Sequence, residues 1–311
     1  MLSSDELLEQ WNGLSHHSSG YVRIDGIHPL DWYLGHEEIN QKSLLLVCHD
    51  KPGKTPSSKS ILTSTGRRGD GNWALVFRLI RDEHEDVFIR FACDLIESSR
   101  EQLNNRAGIN FVINRYKQWA KLMEQQSSVL LGESERKGLL GELIFLQKCL
   151  YEGITCLEAV SSWMGPEGAD QDFIFSSRWY EIKTVGIGSK TFSISSLEQL
   201  NAPPPGELVL YYIDKTAPRS AGAFTLLGKV SEIKETLKDD PTAKELFITK
   251  LLQYGFIDLK DYEEFWYRQE GSNTFEVDYR FPKLTRGNVP VQVTAASYDI
   301  SIHAIANWKT Q

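Results

Sequence analysis

Asp172, Glu181 and Lys183 crowd within a dozen positions, and a further carboxylate, Glu142, lies upstream of them. Residues i and i+2 of a strand share a face, so in Tyr180-Glu181-Ile182-Lys183-Thr184 the two charges point one way and Ile182 points into the core. The flanks support a strand: Phe173-Ile174-Phe175, a Ser176-Ser177-Arg178 turn and Trp179 to Lys183 read as a β-hairpin. An edge strand with one wetted face would explain a lone Glu-x-Lys. A carboxylate on a preceding apolar helix, in the same chain order, weakens that account. Two carboxylates and an ammonium converging on one strand pair make a site for a hard divalent cation beside a fixed positive charge. That combination suits metal-assisted hydrolysis of a phosphodiester.

The pieces Gly141-Glu142-Leu143, Trp163-Met164-Gly165-Pro166 leading to Asp172-Phe173, Glu181-Ile182-Lys183-Thr184, and Ser195 to Leu200 with Gln199 form one pattern, with the tail Tyr279 to Leu284. It resembles the PD-(D/E)XK nuclease superfamily, the restriction-endonuclease-like fold. More narrowly, it resembles an uncharacterised prokaryotic family assigned to that superfamily and linked to phage defence. The resemblance implies a Mg²⁺-dependent DNA endonuclease, with Mn²⁺ as a substitute, acting in restriction or phage defence. It implies that Asp172 and Glu181 ligate the ion with the Ile182 carbonyl, that Lys183 orients the attacking water, and that Glu142 completes the acidic cluster. Gln199 either faces the site and bonds a phosphate or water, or is a solvated helix residue. One departure stands out: Gln171 precedes the metal aspartate where the motif has proline, which leaves Asp170 as a rival to Asp172. A non-catalytic DNA-binding or scaffold subunit of a defence complex, or an RNA nuclease, are the alternatives.

The elements that must hold these residues are readable in outline. Leu139, Leu143, Leu146 and Leu150 make a helical stripe with Glu142 one step round from it, and Gly153 is a plausible C-terminal stop. A snorkelling surface Glu is the ordinary alternative at that position. Thr191 to Ser195 predicts a strand followed by a helix from Leu197, and Glu207 to Ile213 a central strand. Helices are expected at 229–238 and 242–254, and strands at Phe275–Phe281, Val289–Val293 and Tyr298–His303. Upstream, Ser3 and Glu6 fit a capping box for an N-terminal helix burying Leu7, Leu8 and Trp11. Ser43–Cys48 reads as a buried strand, and Trp73–Ile80 with Val87–Cys93 as a hairpin about an acidic turn. The spacing of Phe111, Ile113, Tyr116, Trp119 and Leu122 predicts a long helix. The expected architecture is α/β. A β-rich domain spans 1–97, a helical connector 98–130, a restriction-endonuclease-like core 131–260 and a C-terminal β extension 261–311.

Composition narrows the classes further. The 311 residues are 41% hydrophobic and 24% charged, ordinary for a globular protein, and no apolar run is long enough for a membrane span. The N-terminus lacks the basic and apolar regions of a signal peptide. Four cysteines without paired spacing argue for free thiols in a reducing cytoplasm and against zinc. The seven histidines include no ligand pair.

A net charge of −8 excludes coating nucleic acid by bulk electrostatics, so a nuclease must concentrate its cations locally. The stretch after Asp50 does so. Lys51, Lys54, Lys59, Arg67 and Arg68 occur with no acid before Asp70, in a Pro/Gly/Ser loop that either contacts DNA phosphates or is simply solvated. Lys54, Lys59, Arg67 and Arg68 are the candidate DNA contacts. No Gly-rich phosphate loop is present, so any ATPase or helicase-like activity would come from a separate subunit; a homodimer also stays open.

Overall fold

The structure, a computed structural model, describes residues 2–14, 20–36, 41–58, 60–80, 85–102, 105–125 and 130–310. The chain divides into two compact units, residues 1–129 and 130–311.

The first unit opens with helix α1, Ser4–Asn12, closed by the expected capping box: Ser3 Oγ accepts from Glu6 N–H, and Glu6 accepts from Ser3 N–H. Five strands follow: β1 (Tyr21–Arg23), β2 (Asp31–His36), β3 (Lys42–Cys48), β4 (Ile61–Arg67) and β5 (Trp73–Leu79). They form one antiparallel sheet in the order β1-β2-β3-β5-β4. The central β3 is buried along its whole length, as an uninterrupted apolar run predicts. The segment 87–93, expected as a second hairpin strand, is instead part of helix α2, Glu85–Ser98. A short apolar run does not distinguish the two. Here Leu95 and Ile96 extend it into a helical stripe with Phe88, Phe91 and Ala92, and Glu85 and Asp86 favour a helix N-terminus.

Helix α3, Asn105–Gln125, is bound into this unit by Asp94 of α2. That carboxylate takes two bonds from Arg115, at 2.8 and 2.7 Å, and one from Trp119 Nε1 at 2.7 Å. The stretch read as a connector is therefore packed into the first unit. The basic stretch is irregular over 51–58, and from Ile61 to Arg67 it is β4, an edge strand rather than loop. Lys54 and Arg67 are exposed, Arg68 pairs with Asp70 at 3.0 Å, and Lys59 lies outside the described residues.

The second unit contains helices α4 (Glu133–Tyr151), α5 (Cys156–Ser162), α6 (Leu226–Thr236) and α7 (Pro241–Tyr254). Its strands are β6 (Phe173–Ile174), β7 (Trp179–Val185), β8 (Thr191–Ile194), β9 (Gly206–Lys215), β10 (Ala223–Thr225), β11 (Trp266–Val277) and β12 (Tyr298–Ser301). The main sheet runs β10-β11-β9-β7-β6 and is mixed: β7 and β9 are parallel and the other pairs antiparallel. This mixed sheet with flanking helices is the α/β arrangement expected of a restriction-endonuclease-like core.

Several local expectations change. The stretch after Ser195 is a turn without a helix, and 289–293 is not a strand among the described residues. The strand expected over 275–281 starts earlier, at Trp266, and ends at Val277; β11 lies between β10 and β9, so the presumed extension supplies an interior strand. Periodicity reports a strand but not its neighbours, which the fold alone supplies.

The two faces of β7 bury differently. Ile182 and Thr184 meet α4, where a Cβ on Gly141 would stand 2.5 Å from Thr184 Cγ2 and 3.2 Å from Ile182 Cγ2. Trp179 on the other face packs with Leu208, Leu210, Phe192 and Ile194 in a second core. Gly141 thus permits a close approach of α4 to β7. Gly141→Ala should destabilise the second unit by about 1–3 kcal/mol through overpacking, seen as a lower urea midpoint at unchanged slope. An unchanged midpoint would mean that the helix has room to spare.

Candidate active site

Helix α4 begins where the Glu135 carboxylate accepts the Gly132 N–H at 2.6 Å, and its buried residues include Leu139, Leu143 and Leu146. The stripe carries Glu142 inward with it. Glu142 is 7% exposed, no snorkelling surface residue, and one oxygen accepts from Trp163 Nε1 at 2.6 Å. Trp163 follows α5 and bridges to Phe173 of β6. After it the backbone folds over the aspartate: Met164 and Gly165 N–H both donate to the Asp172 carbonyl, at 2.7 and 3.1 Å. A Cβ on Gly165 would stand 2.8 Å from Glu142 Oε2 and 3.1 Å from Asp172 Oδ1. Two carboxylates from separate elements therefore face one point, and only a glycine leaves that point open.

Strand β6 pairs with Tyr180 and Trp179 only, which leaves the rest of that edge of β7 without a strand partner. Asp172 fills the first vacancy: its Oδ2 accepts the Ile182 N–H at 2.7 Å. In a strand the N–H and C=O of one residue lie on one side, so the Ile182 carbonyl faces this same edge. Asp170, the sequence rival, is exposed. Glu181 and Lys183 share a face, as predicted. Glu181 is 1% exposed, with Lys183 Nζ 2.9 Å from its Oε1. Apart from this ammonium, neither carboxylate oxygen of Glu181 has a hydrogen-bond partner among the described residues. The cluster straddles the sheet edge, with Glu142 on the α4 side, Asp172 at the edge and Glu181 with Lys183 on the opposite face.

Burial raises the proton affinity of all three carboxyls, and repulsion by neighbouring carboxylates adds to it at Glu142 and Glu181. Glu142 is pushed well up by burial and then by the Asp172 charge, against the Trp163 N–H that favours its ionised form. Asp172 rises to about 6 through burial, opposed by the Ile182 N–H and the Lys183 charge. Glu181 is pushed well up by burial and by Asp172, opposed by Lys183. The Tyr254 hydroxyl is also held up, first by burial and then by the charges of Glu142 and Asp172.

Gln199, the candidate phosphate or water contact, has its side-chain oxygen engaged within its own turn. Its Oε1 accepts from Ser195 N–H at 2.9 Å and from Ser195 Oγ at 3.1 Å, so that oxygen closes the turn after β8. Gln171, standing where the motif has proline, is 6% exposed and ties this turn to the aspartate strand, donating to the Glu198 and Gln199 carbonyls at 3.1 and 3.3 Å. Lys250 of α7 was not foreseen at all. It is 1% exposed, bonds the carbonyls of Ser161 and Trp163, and pairs with Glu167 at 2.8 Å, anchoring both ends of the segment that covers Glu142 and Asp172. Its signal was a lysine among the buried positions Ala243, Phe247 and Leu251 of one helix. Lys54, Arg67 and Arg68 belong to the first unit, whereas every residue of this cluster belongs to the second.

The donor set fits a hard divalent cation. It offers carboxylate and carbonyl oxygens, and apart from the Lys183 ammonium the buried Glu181 oxygens have no hydrogen-bond donor among the described residues. Among the described residues no three His, Cys, Asp or Glu side chains form a ready cage. A small dication held by one or two carboxylates, with water and substrate phosphate completing its shell, needs none.

A family model described as "Putative PD-(D/E)XK family member, (DUF4420)" matches residues 7–303. No curated protein and no solved structure matches the chain. Among the described residues, no helix is long and apolar enough to cross a membrane.

The raised Asp172 carboxyl has a thermodynamic signature. Above its ordinary 3.8 the unfolded chain ionises while the folded one resists until about 6, so this group lowers stability as pH climbs through that window. Asp172→Asn still accepts the Ile182 N–H and carries no charge. Its stability relative to wild type should therefore grow between pH 4 and 6 by about 1–3 kcal/mol and then level off, as measured by denaturation across pH. A pH-independent difference would show that the carboxyl is not raised.

Proposed function

The chain belongs to this family, and on that premise we propose that the second unit hydrolyses phosphodiester bonds of DNA with Mg²⁺, for which Mn²⁺ substitutes. The observation that carries the reading is the buried cluster at the free edge of β7, above all the Glu181 carboxylate, shut from water with only the Lys183 ammonium beside it among the described residues. Asp172 and Glu181 would hold the ion, with the Ile182 carbonyl beside them. When bound, the ion lowers the pKa of a coordinated water and offsets charge on the phosphorane. Lys183, 19% exposed at its side chain, reaches from the buried pair towards solvent. Its ammonium orients the attacking water and counters the developing charge on the scissile phosphate. Glu142 adds negative charge behind Asp172, and the Trp163 N–H keeps it oriented. Gln199 has its Oε1 engaged by Ser195, so its contribution to a phosphate would come through the Nε2 donor. Lys54, Arg67 and Arg68 would contact DNA phosphates from the first unit. The setting the family resemblance implies is restriction or phage defence.

Incubation with plasmid and Mg²⁺ or Mn²⁺ tests the reading. Lys183→Ala should slow cleavage by about 10²–10³-fold or more while keeping the thermal stabilisation that the cation confers, because the ammonium does not ligate the ion. Asp172→Ala should lose both. Full activity in both variants would remove the chemistry from this site. Activity lost in Asp170→Ala and kept in Asp172→Ala would move the metal ligand, and cleavage of RNA alone would change the substrate.

A further inference from the structure

From Tyr279 to Tyr298 the chain carries no acid and three cations, Arg280, Lys283 and Arg286, in a protein of net charge −8. Most of the stretch lacks regular structure, yet it is braced. Phe281 is buried in the core behind β7, and Leu284 N–H donates to Tyr298 OH at 3.1 Å. Asn288 closes a turn through Thr285 N–H and the Lys283 carbonyl, at 2.7 and 2.8 Å. Such bracing presets a surface and lowers the ordering cost of binding.

The segment is also docked beside the carboxylate cluster. Arg286 donates to Glu198 at 2.6 Å, and the carbonyl of that same Glu198 accepts from Gln171, the residue before Asp172. Its groups point outward. Tyr279 is 88% exposed, with the Arg280 guanidinium 5.5 Å from its ring centre. The Arg280 and Arg286 side chains are 71% and 55% exposed; Arg286 also donates to the Thr294 carbonyl at 2.7 Å, so part of each guanidinium's N–H set remains for a phosphate. Lys283 is half-buried, has no ion pair among the described residues, and its pKa is lowered by burial.

We infer that residues 279–298 are the surface on which the second unit receives a DNA strand with unpaired bases: Arg280, Lys283 and Arg286 take phosphates, and Tyr279 stacks a base. An exposed aromatic ring among cations, without interleaved acids, is what such a strand needs, since every base has a π-face and every linkage a charge. The inference rests on the nuclease reading and adds to it the direction from which substrate enters.

The test uses the full chain, a fluorescent single-stranded oligonucleotide, and Ca²⁺ in place of Mg²⁺, with anisotropy measured at several salt concentrations. Tyr279→Ala should weaken binding about 5- to 100-fold, and Tyr279→Phe, which keeps the ring, should bind as wild type does. Arg280→Gln with Lys283→Gln should flatten log K against log salt by about 1.4. Tyr279 and Arg280 are exposed and the half-buried Lys283 has no ion pair among the described residues, so melting temperatures should not move. Wild-type cleavage of DNA combined with unchanged affinity and slope in these variants would overturn this surface and leave the nuclease reading intact. A wild-type chain that neither binds nor cleaves DNA would overturn both.

Discussion

The second unit depends on keeping ionisable carboxyls out of water at one place. Glu181 is enclosed, the Asp172 charge raises the proton affinity of both Glu181 and Glu142, and among the described residues one ammonium, Lys183, pairs with the group. An isolated buried carboxylate is costly, and the fold reduces that cost in three ways visible here. Lys183 neutralises part of the charge, the Ile182 and Trp163 N–H groups stabilise two of the anions, and the remaining strain appears as retained protons. A dication binding this cluster would relieve what remains, and the folded state would gain stability from binding it.

That arrangement requires close approach between elements that supply one residue each. Gly141 lets α4 settle on Ile182 and Thr184, and Gly165 lets the Trp163–Glu167 segment cross between two carboxylates. Lys250 then fixes that segment from beneath. Its ammonium is as buried as Glu181 and is satisfied by two carbonyls and Glu167, so it acts as an internal staple rather than a surface charge. Gln171 performs a comparable task towards the Gln199 turn. A proline at that position would keep the backbone extended but could not donate, so the departure from the motif brings a tie that the motif residue lacks.

An acidic chain that acts on a polyanion must segregate its charge. Two acid-free stretches outside helices could do this, 51–69 in the first unit and 279–298 in the second, besides the run 102–123 that lies mostly in α3. They differ in construction. The first runs from an irregular loop into the edge strand β4, with Arg68 paired to Asp70. The second is pinned by Phe281 and Arg286 beside the carboxylate cluster and presents an exposed tyrosine among its cations.

The amino-acid sequence by itself determined the hairpin of β6 and β7, the shared face of Glu181 and Lys183, the α4 stripe and the capping box of α1, because each follows from spacing within a few residues. It misjudged Val87–Cys93, where the deciding residues, Leu95 and Ile96, lay beyond the short run considered. It also found only the C-terminal end of β11, as a strand over Phe275–Phe281. What only tertiary structure decided lies between distant segments. The choice of Asp172 over Asp170 to meet β7 depends on which carboxylate reaches the Ile182 N–H left free by the short β6. The burial of Glu142 depends on Trp163, and the place of Lys250 on a helix more than a hundred residues further along the chain. Local periodicity reports which face of an element is apolar; which polar group waits on the other side is settled only when the elements pack.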